Sequence, residues 1–189
     1  MEMNKAPIRK NPQLLDALFA DIQRGLVAKF GWLDKAFGRA ERLVRYSAQK
    51  KKIYTPNVFA GGNEYIDVTP DANIGNFSFF WVDDPQNVDA ERNVNISINT
   101  GFSLIVWVDI RKVYNDRKER NKELLKREIL DALNGGIWIK DGRVEITKVW
   151  ELAENVYRGF TLDEIDNQFM MQPYCGFRFE GKLRITESC

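Results

Sequence analysis

The fold is decided by the stretch VNISINTGFSLIVWVDI, residues 94–110, in which apolar and polar side chains alternate in two runs. One face of the second run carries five large apolar side chains: Phe102, Leu104, Val106, Val108 and Ile110. Ile105 and Trp107 make much of the opposite face apolar as well, which is typical of a strand in the middle of a sheet. Thr100 and Gly101 separate the two runs, so we expect a pair of strands joined there.

Other segments surround this pair with helices and a further strand. A helix is predicted from Asn11 as N-cap and Pro12 as first residue, because apolar residues then recur at helical spacing up to Phe30. A second helix is predicted from Asp116 to Leu133, followed by Asn-Gly-Gly. The final strand is predicted to bury one face, whose members are Phe177, Phe179, Leu183 and Ile185.

Two further stretches are less regular. Residues 32–49 have the spacing of a second, weaker helical segment after the first helix, with Trp32, Leu33 and Phe37 as apolar anchors. Residues 53–92 are predicted to be an extended loop or hairpin excursion that contains a short buried strand over 77–82. Together the elements predict one α+β domain over residues 1–189, with a mostly antiparallel sheet packed against two main helices.

The composition disfavours the common catalytic classes, because the chain of 189 residues contains no histidine. Serine–histidine triads, cysteine–histidine dyads and histidine-based metal sites are therefore excluded. No glycine-rich phosphate-binding loop is present either. We expect no catalytic residue, no cofactor and no metal site. A carboxylate-only enzyme, and calcium bound by the acidic loop 83–91, remain as minor alternatives.

Charge is segregated along the chain. Residues 1–52 contain twelve Lys or Arg and five acids, whereas residues 53–91 contain seven acids and no Lys or Arg. The candidate basic interface residues are Arg39, Arg42, Arg45, Lys50, Lys51 and Lys52. The candidate acidic interface residues are Glu64, Asp67, Asp71, Asp83 and Asp84. Such stretches can pair within one chain or between copies, or they can simply be two solvated surfaces.

The chain contains only two cysteines, and their number and positions bear on the cellular compartment and on thiol chemistry. Cys175 and Cys189 do not make a disulfide framework, and the phase of Cys175 with Phe177 predicts core packing for its thiol. No secretory signal is visible at the N-terminus, and no apolar run approaches the ~20 residues of a membrane helix. We expect a soluble protein made in the cytoplasm, without membrane contact.

The order of the elements resembles the tail-completion, or tail-terminator, proteins of tailed bacteriophages and prophages. The resemblance is carried by TPNVFAGGNEYIDVTP (55–70), the central stretch 94–110, RKERNKELLKREILDALNGG (117–136) and MQPYCGFRFEGKLRIT (171–186). It implies a structural virion protein at the head–tail junction, first in the bacterial host cytoplasm and then in the virion. It also implies a homo-oligomeric ring, hexameric in members of that family, that docks other tail or neck proteins and meets DNA only by its passage.

A binding module of a bacterial cell is the alternative from another functional class. Trp81, Trp107, Trp138 and Trp150 lie in or beside predicted strands and could stack on a glycan or a peptide. Large residues at such positions are more often part of the core. The assembly interpretation is therefore preferred, and it predicts function through surfaces rather than through a pocket.

Overall fold

The computed structural model of the protein describes residues 8–188 except 63, 72, 85, 92–94, 117, 119, 138, 141 and 164. The described strands are β1 (Lys35–Tyr46), β2 (Lys52–Gly61), β3 (Glu64–Asp67), β4 (Phe77–Val82), β5 (Asn87–Glu91), β6 (Asn95–Asp109), β7 (Gly142–Trp150) and β8 (Tyr174–Ser188). The described α-helices are α1 (Leu15–Lys29), α2 (Ile110–Val113), α3 (Lys122–Asp131) and α4 (Ala153–Val156). A π-helical turn, Ala132–Gly136, follows α3, and a 3-10 turn, Asn167–Met170, precedes β8.

The eight strands form one sheet in the order β3-β2-β1-β4-β6-β8-β7, with β5 paired to β6 beyond the end of β4. Every strand pair is antiparallel except β1 with β4, which is parallel. The predicted fold class is confirmed: an α+β fold with a mostly antiparallel sheet packed against two main helices, α1 and α3.

A hydrophobic core lies on each face of the sheet. On the first face α1 and α3 cover β4, β6 and β8, and the ring of Phe19 stacks on that of Phe80 at 4.3 Å between centroids. On the second face α4 and the residues after it cover β4 and β6, with Tyr157 5.6 Å from the Trp107 ring. Burial of β6 on both faces confirms its predicted central position.

The predicted break at Thr100-Gly101 is wrong, because β6 is one continuous strand. It pairs with β8 without interruption from Asn95↔Ser188 to Asp109↔Tyr174, and this ladder satisfies backbone groups that a turn would leave open. The irregularity lies in the facing chain instead. Val82 pairs with Phe102 and Asn87 with Asn99, so the segment from β4 to β5 is two residues longer than the part of β6 it spans.

The predicted helical segment over residues 32–49 is also wrong, since most of it forms β1. Lys35 to Arg39 lie beside β4, and Ala40 to Tyr46 pair with β2. Phe37, which suggested a helical anchor, is buried in the second core. The long antiparallel pairing with β2 outweighs the weak local helical pattern.

Residues 53–92 differ in part from the predicted excursion. β2 and β3 form the expected hairpin, but β4 is a central strand that pairs with both β1 and β6. That part of the stretch belongs to the body of the sheet because all but one of its six residues are buried. β5 then continues along β6.

The helices begin later than predicted. α1 starts at Leu15, three residues after Pro12, and α3 starts at Lys122, where the Asn121 side chain accepts from the backbone N–H of Glu123 at 2.9 Å. Asp116 accepts from the N–H of Lys118 at 2.8 Å, in a turn that precedes the helix. The final strand has the predicted buried face.

Candidate functional site

A β-ribbon rich in cations projects from the sheet at the end of β1. It comprises residues 41–57, the basic ribbon, in which β1 and β2 pair from Glu41↔Asn57 to Tyr46↔Lys52. Ser47 closes its turn: its N–H donates to the Lys51 carbonyl at 2.9 Å, and its hydroxyl accepts from the Lys51 N–H at 3.1 Å. The short turn fixes the ends of the two strands together, so the ribbon is an ordered surface.

The β1 half of the basic ribbon exposes apolar side chains to solvent. All six residues from 41 to 46 are exposed, including 49% of Leu43, 50% of Val44 and 64% of Tyr46. Val44 and Tyr46 share one face of the strand and form the apolar patch, while Leu43 lies on the opposite face. Single exposed apolar residues are ordinary on protein surfaces, but neighbouring ones are less so. Such a patch on an ordered strand is typical of a surface that a partner covers.

The two edges of the basic ribbon differ. The β2 edge is covered, because the Tyr54 N–H donates to the Thr161 hydroxyl at 3.0 Å and the Thr161 N–H donates to the Tyr54 carbonyl at 2.9 Å. The Val68 N–H donates to the Pro56 carbonyl at 2.9 Å further along. On the β1 edge, no strand in the described part of the chain pairs with residues 41–46. An open edge of this kind can add a strand from another chain.

The arginines predicted for the interface lie in or beside this ribbon. Arg39 stands at its base, 3.6 Å from Glu41, and the Arg42 guanidinium lies over the Tyr54 ring at 5.2 Å. Arg45 is exposed near the end of β1, next to the ribbon's turn. Because side chains alternate along a strand, Arg42 lies on the face opposite to Arg39 and Arg45. The three arginines therefore do not form a single row.

The lysines of the basic stretch surround the ribbon's turn. Lys50, Lys51 and Lys52 are all exposed, and the Lys51 ammonium pairs with Asp163. The structure thus brings the basic candidates onto one projecting element, through a strand and a turn rather than through a helix.

The acidic candidates lie on three separate elements. Glu64 and Asp67 are in β3, where Asp67 accepts from the Thr69 N–H at 2.9 Å. Asp71 accepts from two backbone N–H groups in the turn before β4, at 2.6 and 2.8 Å. Asp83 and Asp84 are exposed between β4 and β5. Asp67 and Asp71 stabilise local turns. Glu64 and Asp67 also lie on β3, the terminal strand of the described sheet, while Asp83 and Asp84 precede the open edge of β5.

No other arrangement suggests chemistry. Among the residues that the structure describes, no three acidic, cysteine or histidine side chains are grouped so as to hold a metal ion. Burial raises the pKa of the Cys175 thiol to about 11, and the side chain packs in the first core as predicted. Glu151 is engaged by Lys126 at 2.5 Å. The side chains of Asp89 and Glu91, and all of Trp138 and Cys189, lie outside the described residues.

The described tryptophans of the strands are used inside the fold. Trp107 is buried, and Trp81 packs edge-on against Phe160 at 5.1 Å between ring centroids. The Trp150 indole N–H donates to Glu180 at 2.8 Å, with the Arg158 guanidinium 5.6 Å from its ring. These contacts occupy the ring faces and edges that a glycan would need, so they do not favour the binding-module alternative.

A buried arginine is the polar feature that the sequence pattern missed. Arg178 is 2% exposed, and its guanidinium donates to the Ser103 hydroxyl at 3.0 Å and to the Arg158 carbonyl at 3.1 Å. Glu180 lies 3.0 Å from the same guanidinium. Burial lowers the pKa of Arg178, and the charge of Glu180 opposes that shift. The cluster joins β6, β8 and the segment after α4, and it has no open face for a substrate.

The comparisons with known proteins add no family. No protein-family profile matches the chain, and no curated protein has a detectably similar sequence. Among the described residues, none of the helices is both long enough and apolar enough to cross a bilayer.

Proposed function

We propose that this protein is a non-catalytic structural subunit that assembles with copies of itself through the basic ribbon. The observation that carries the proposal is the open β1 edge with Leu43, Val44 and Tyr46 exposed beside it. An unpaired, partly apolar edge is a hazard that proteins ordinarily cover, shorten or twist away. A subunit that assembles through the edge covers it in the assembled state.

The basic charge of the ribbon supports assembly with a defined partner surface. The ribbon combines exposed arginine and lysine side chains with apolar ones, so a basic surface would be repelled by it. An acidic surface with an apolar centre meets both requirements. Complementary charge of this kind sets orientation and association rate more than final affinity.

The kind of assembly we propose is the tail-completion ring of a tailed bacteriophage or prophage, at the head–tail junction. The resemblance of the sequence to that family supports it, together with an α+β fold that has an exposed strand edge suited to contact between copies. In such a ring the subunit would dock further tail or neck proteins, and DNA would pass through without a dedicated site. A gene flanked by capsid, portal or tail-sheath genes would support this placement.

The proposal is tested by the mass of the protein in solution. Light scattering behind size exclusion, over a wide range of protein concentration, is expected to show masses that rise from 22.0 kDa to multiples of it. Val44→Asp with Tyr46→Asp is expected to keep the mass at 22.0 kDa, because charge in the apolar patch opposes its burial. Met171→Asp is the matched control, since Met171 is 65% exposed on another element.

Two results would contradict the proposal. One is a wild-type mass of 22.0 kDa at every concentration tested. The other is assembly that the ribbon variant leaves intact, since the surface would then lie elsewhere. Circular dichroism of each variant shows whether it is folded before its mass is interpreted.

A further inference from the structure

Besides the outer strands β3 and β7, the described sheet has an open edge at β5. Its residues 87–91 pair with β6 on one side, and no strand in the described part of the chain pairs with the other side. Val88 is 62% exposed at this edge. The five residues of β5 include two acids and no cation, and the exposed Asp83 and Asp84 come just before them. This acidic edge, residues 83–91, has an apolar side chain near its centre.

The basic ribbon diverges from β4 at the same end of β4 where the chain turns towards the acidic edge. β1 runs parallel to β4 from Lys35↔Phe77 to Arg39↔Phe80, where the pairing ends. β1 then pairs with β2 alone, while the chain after β4 continues as β5 along β6. The two open edges are therefore separate, and no described pairing closes either of them within one chain.

We propose that the β1 edge of the basic ribbon in one copy pairs with the β5 edge in the next copy. This inference rests on the self-association proposed above and names the two surfaces that meet. A β1–β1 contact would bring together two strands that each carry Arg42 and Arg45, and a β5–β5 contact two strands that each carry Asp89 and Glu91. Like charges directly across a strand pair are unfavourable. A parallel β1–β5 pairing with Val44 opposite Val88 sets Arg45 opposite Asp89, so one register joins opposite charges and the two valines. The antiparallel pairing of the same valines would set Glu41 opposite Glu91, so the parallel direction is the one we propose.

The contact has a consequence for the form of the assembly. It joins two different patches, so a pair of copies still has one unused β1 edge and one unused β5 edge. Contacts of this heterologous type repeat around a closed ring, or extend into a filament where the rotation does not close. A contact between two identical patches would stop at a dimer instead.

Charge reversal separates these arrangements. One chain carries Arg42→Glu and Arg45→Glu, and a second carries Asp89→Lys and Glu91→Lys. We expect each alone to associate at least about tenfold more weakly than the wild type, and their equimolar mixture to recover association. Arg127→Glu on the exposed side of α3 is the control for a change of net charge. An Asp89→Lys/Glu91→Lys chain that assembles like the wild type would overturn the proposal.

Crosslinking tests the surfaces directly. In a Cys189→Ser background, Val44→Cys and Val88→Cys chains are mixed and treated with a thiol–thiol reagent spanning about 8 Å, which tolerates a register slip of two residues at about 3.3 Å each. We expect mixed dimers only in the mixture, and ladders when both substitutions are in one chain. The buried Cys175 thiol serves as internal background, measured in the parent chain.

The outcomes separate this inference from the proposed function. Assembly with crosslinks in the Val44→Cys chain alone would overturn β1–β5 pairing in favour of a contact between identical edges. Assembly without any crosslink between the two positions would overturn it as well, and both results leave self-association standing. A protein of 22.0 kDa at every concentration would overturn both proposals.

Discussion

Removing the charge of Glu180 is expected to destabilise the fold strongly through Arg178. Glu180→Gln keeps the shape of the side chain and one carbonyl acceptor, but it leaves a guanidinium that is 2% exposed without its counter-ion at 3.0 Å. Breaking a buried ion pair from one side costs about 3–5 kcal/mol. Because the amide still accepts a hydrogen bond, we expect the lower value, about 3 kcal/mol, which is a fall in Tm of about 6–12 °C for a chain of this length.

Removing the arginine instead is expected to cost less. In Arg178→Met, Glu180 keeps the indole N–H of Trp150 at 2.8 Å and the guanidinium of Arg158, and it retains contact with water. The main losses are the hydrogen bonds to Ser103 and to the Arg158 carbonyl. We expect about 1–2 kcal/mol, since methionine fills much of the same volume. The double variant is expected to be more stable than Glu180→Gln alone.

Urea unfolding followed by tryptophan fluorescence measures the three free energies as a double-mutant cycle. We expect a coupling of about 1–3 kcal/mol between the two positions. A loss below about 1 kcal/mol for Glu180→Gln would refute the reasoning, because the buried charge would not then depend on its partner. So would losses that add in the double variant.

Three further changes follow from single contacts. Gly181→Ala is expected to cost several kcal/mol or prevent folding, because its Cβ would overlap a backbone carbonyl of β7. The control is Gly31→Ala, whose Cβ meets nothing within 4 Å and which is expected to be neutral. Thermal melts of both variants check this. Arg143→Glu is expected to raise Tm by about 1–3 °C at low salt and by less at high salt, since Arg143 lies directly opposite Arg184. Burial would raise the pKa of Asp109, but the hydrogen bonds and charge of Arg111 outweigh burial and lower that pKa. The stability that this ion pair contributes is therefore expected to be complete above about pH 4 and to fall as pH drops through the lowered pKa. Asp109→Asn is expected to remove this acid-dependent loss, which acid titrations of the two proteins check.

Strands with strict alternation could be predicted from the sequence alone. β6 and β8 have apolar side chains at every second position, and burial on one or both faces leaves only one register that covers them. The break within β6 was mispredicted because Thr100-Gly101 has turn chemistry. The Asp83 side chain instead lies against Gly101, and a Cβ at that position would overlap the Asp83 carboxylate. A glycine between two alternating runs can therefore mark a bulge in the facing chain.

The nature of β1 could not be predicted locally. Its first half supplies buried residues to both cores, and its second half is exposed along six residues, so neither a helical nor a strand period runs through it. The partners that make it a strand, β2 and β4, are set by contacts distant in sequence. Arg178 was missed for a related reason. Alternation places it on the polar face of β8, and only the segment after α4, through the Arg158 carbonyl, covers it there.

The interface candidates show when a run of like charge in the sequence predicts a charged surface in the fold. The basic stretch is one continuous strand, turn and strand, so its cations stay together in space. The acidic stretch, residues 53–91, crosses four strands, and folding distributes its side chains among local turns and edges. A run of like charge therefore predicts a surface only where it occupies a single element.

The open edges have a common structural origin. β1 changes register against β4 between Ala36 and Arg39, and this shift puts Ala40, like Phe37, into the second core. The strand then follows β2, whose Val58 is also in that core, and leaves the line of β4. One departure thus opens the edge of β1 and the edge of β5 at once, one basic and the other acidic. These two unlike edges are the pair of different patches that the proposed heterologous contact between copies would use.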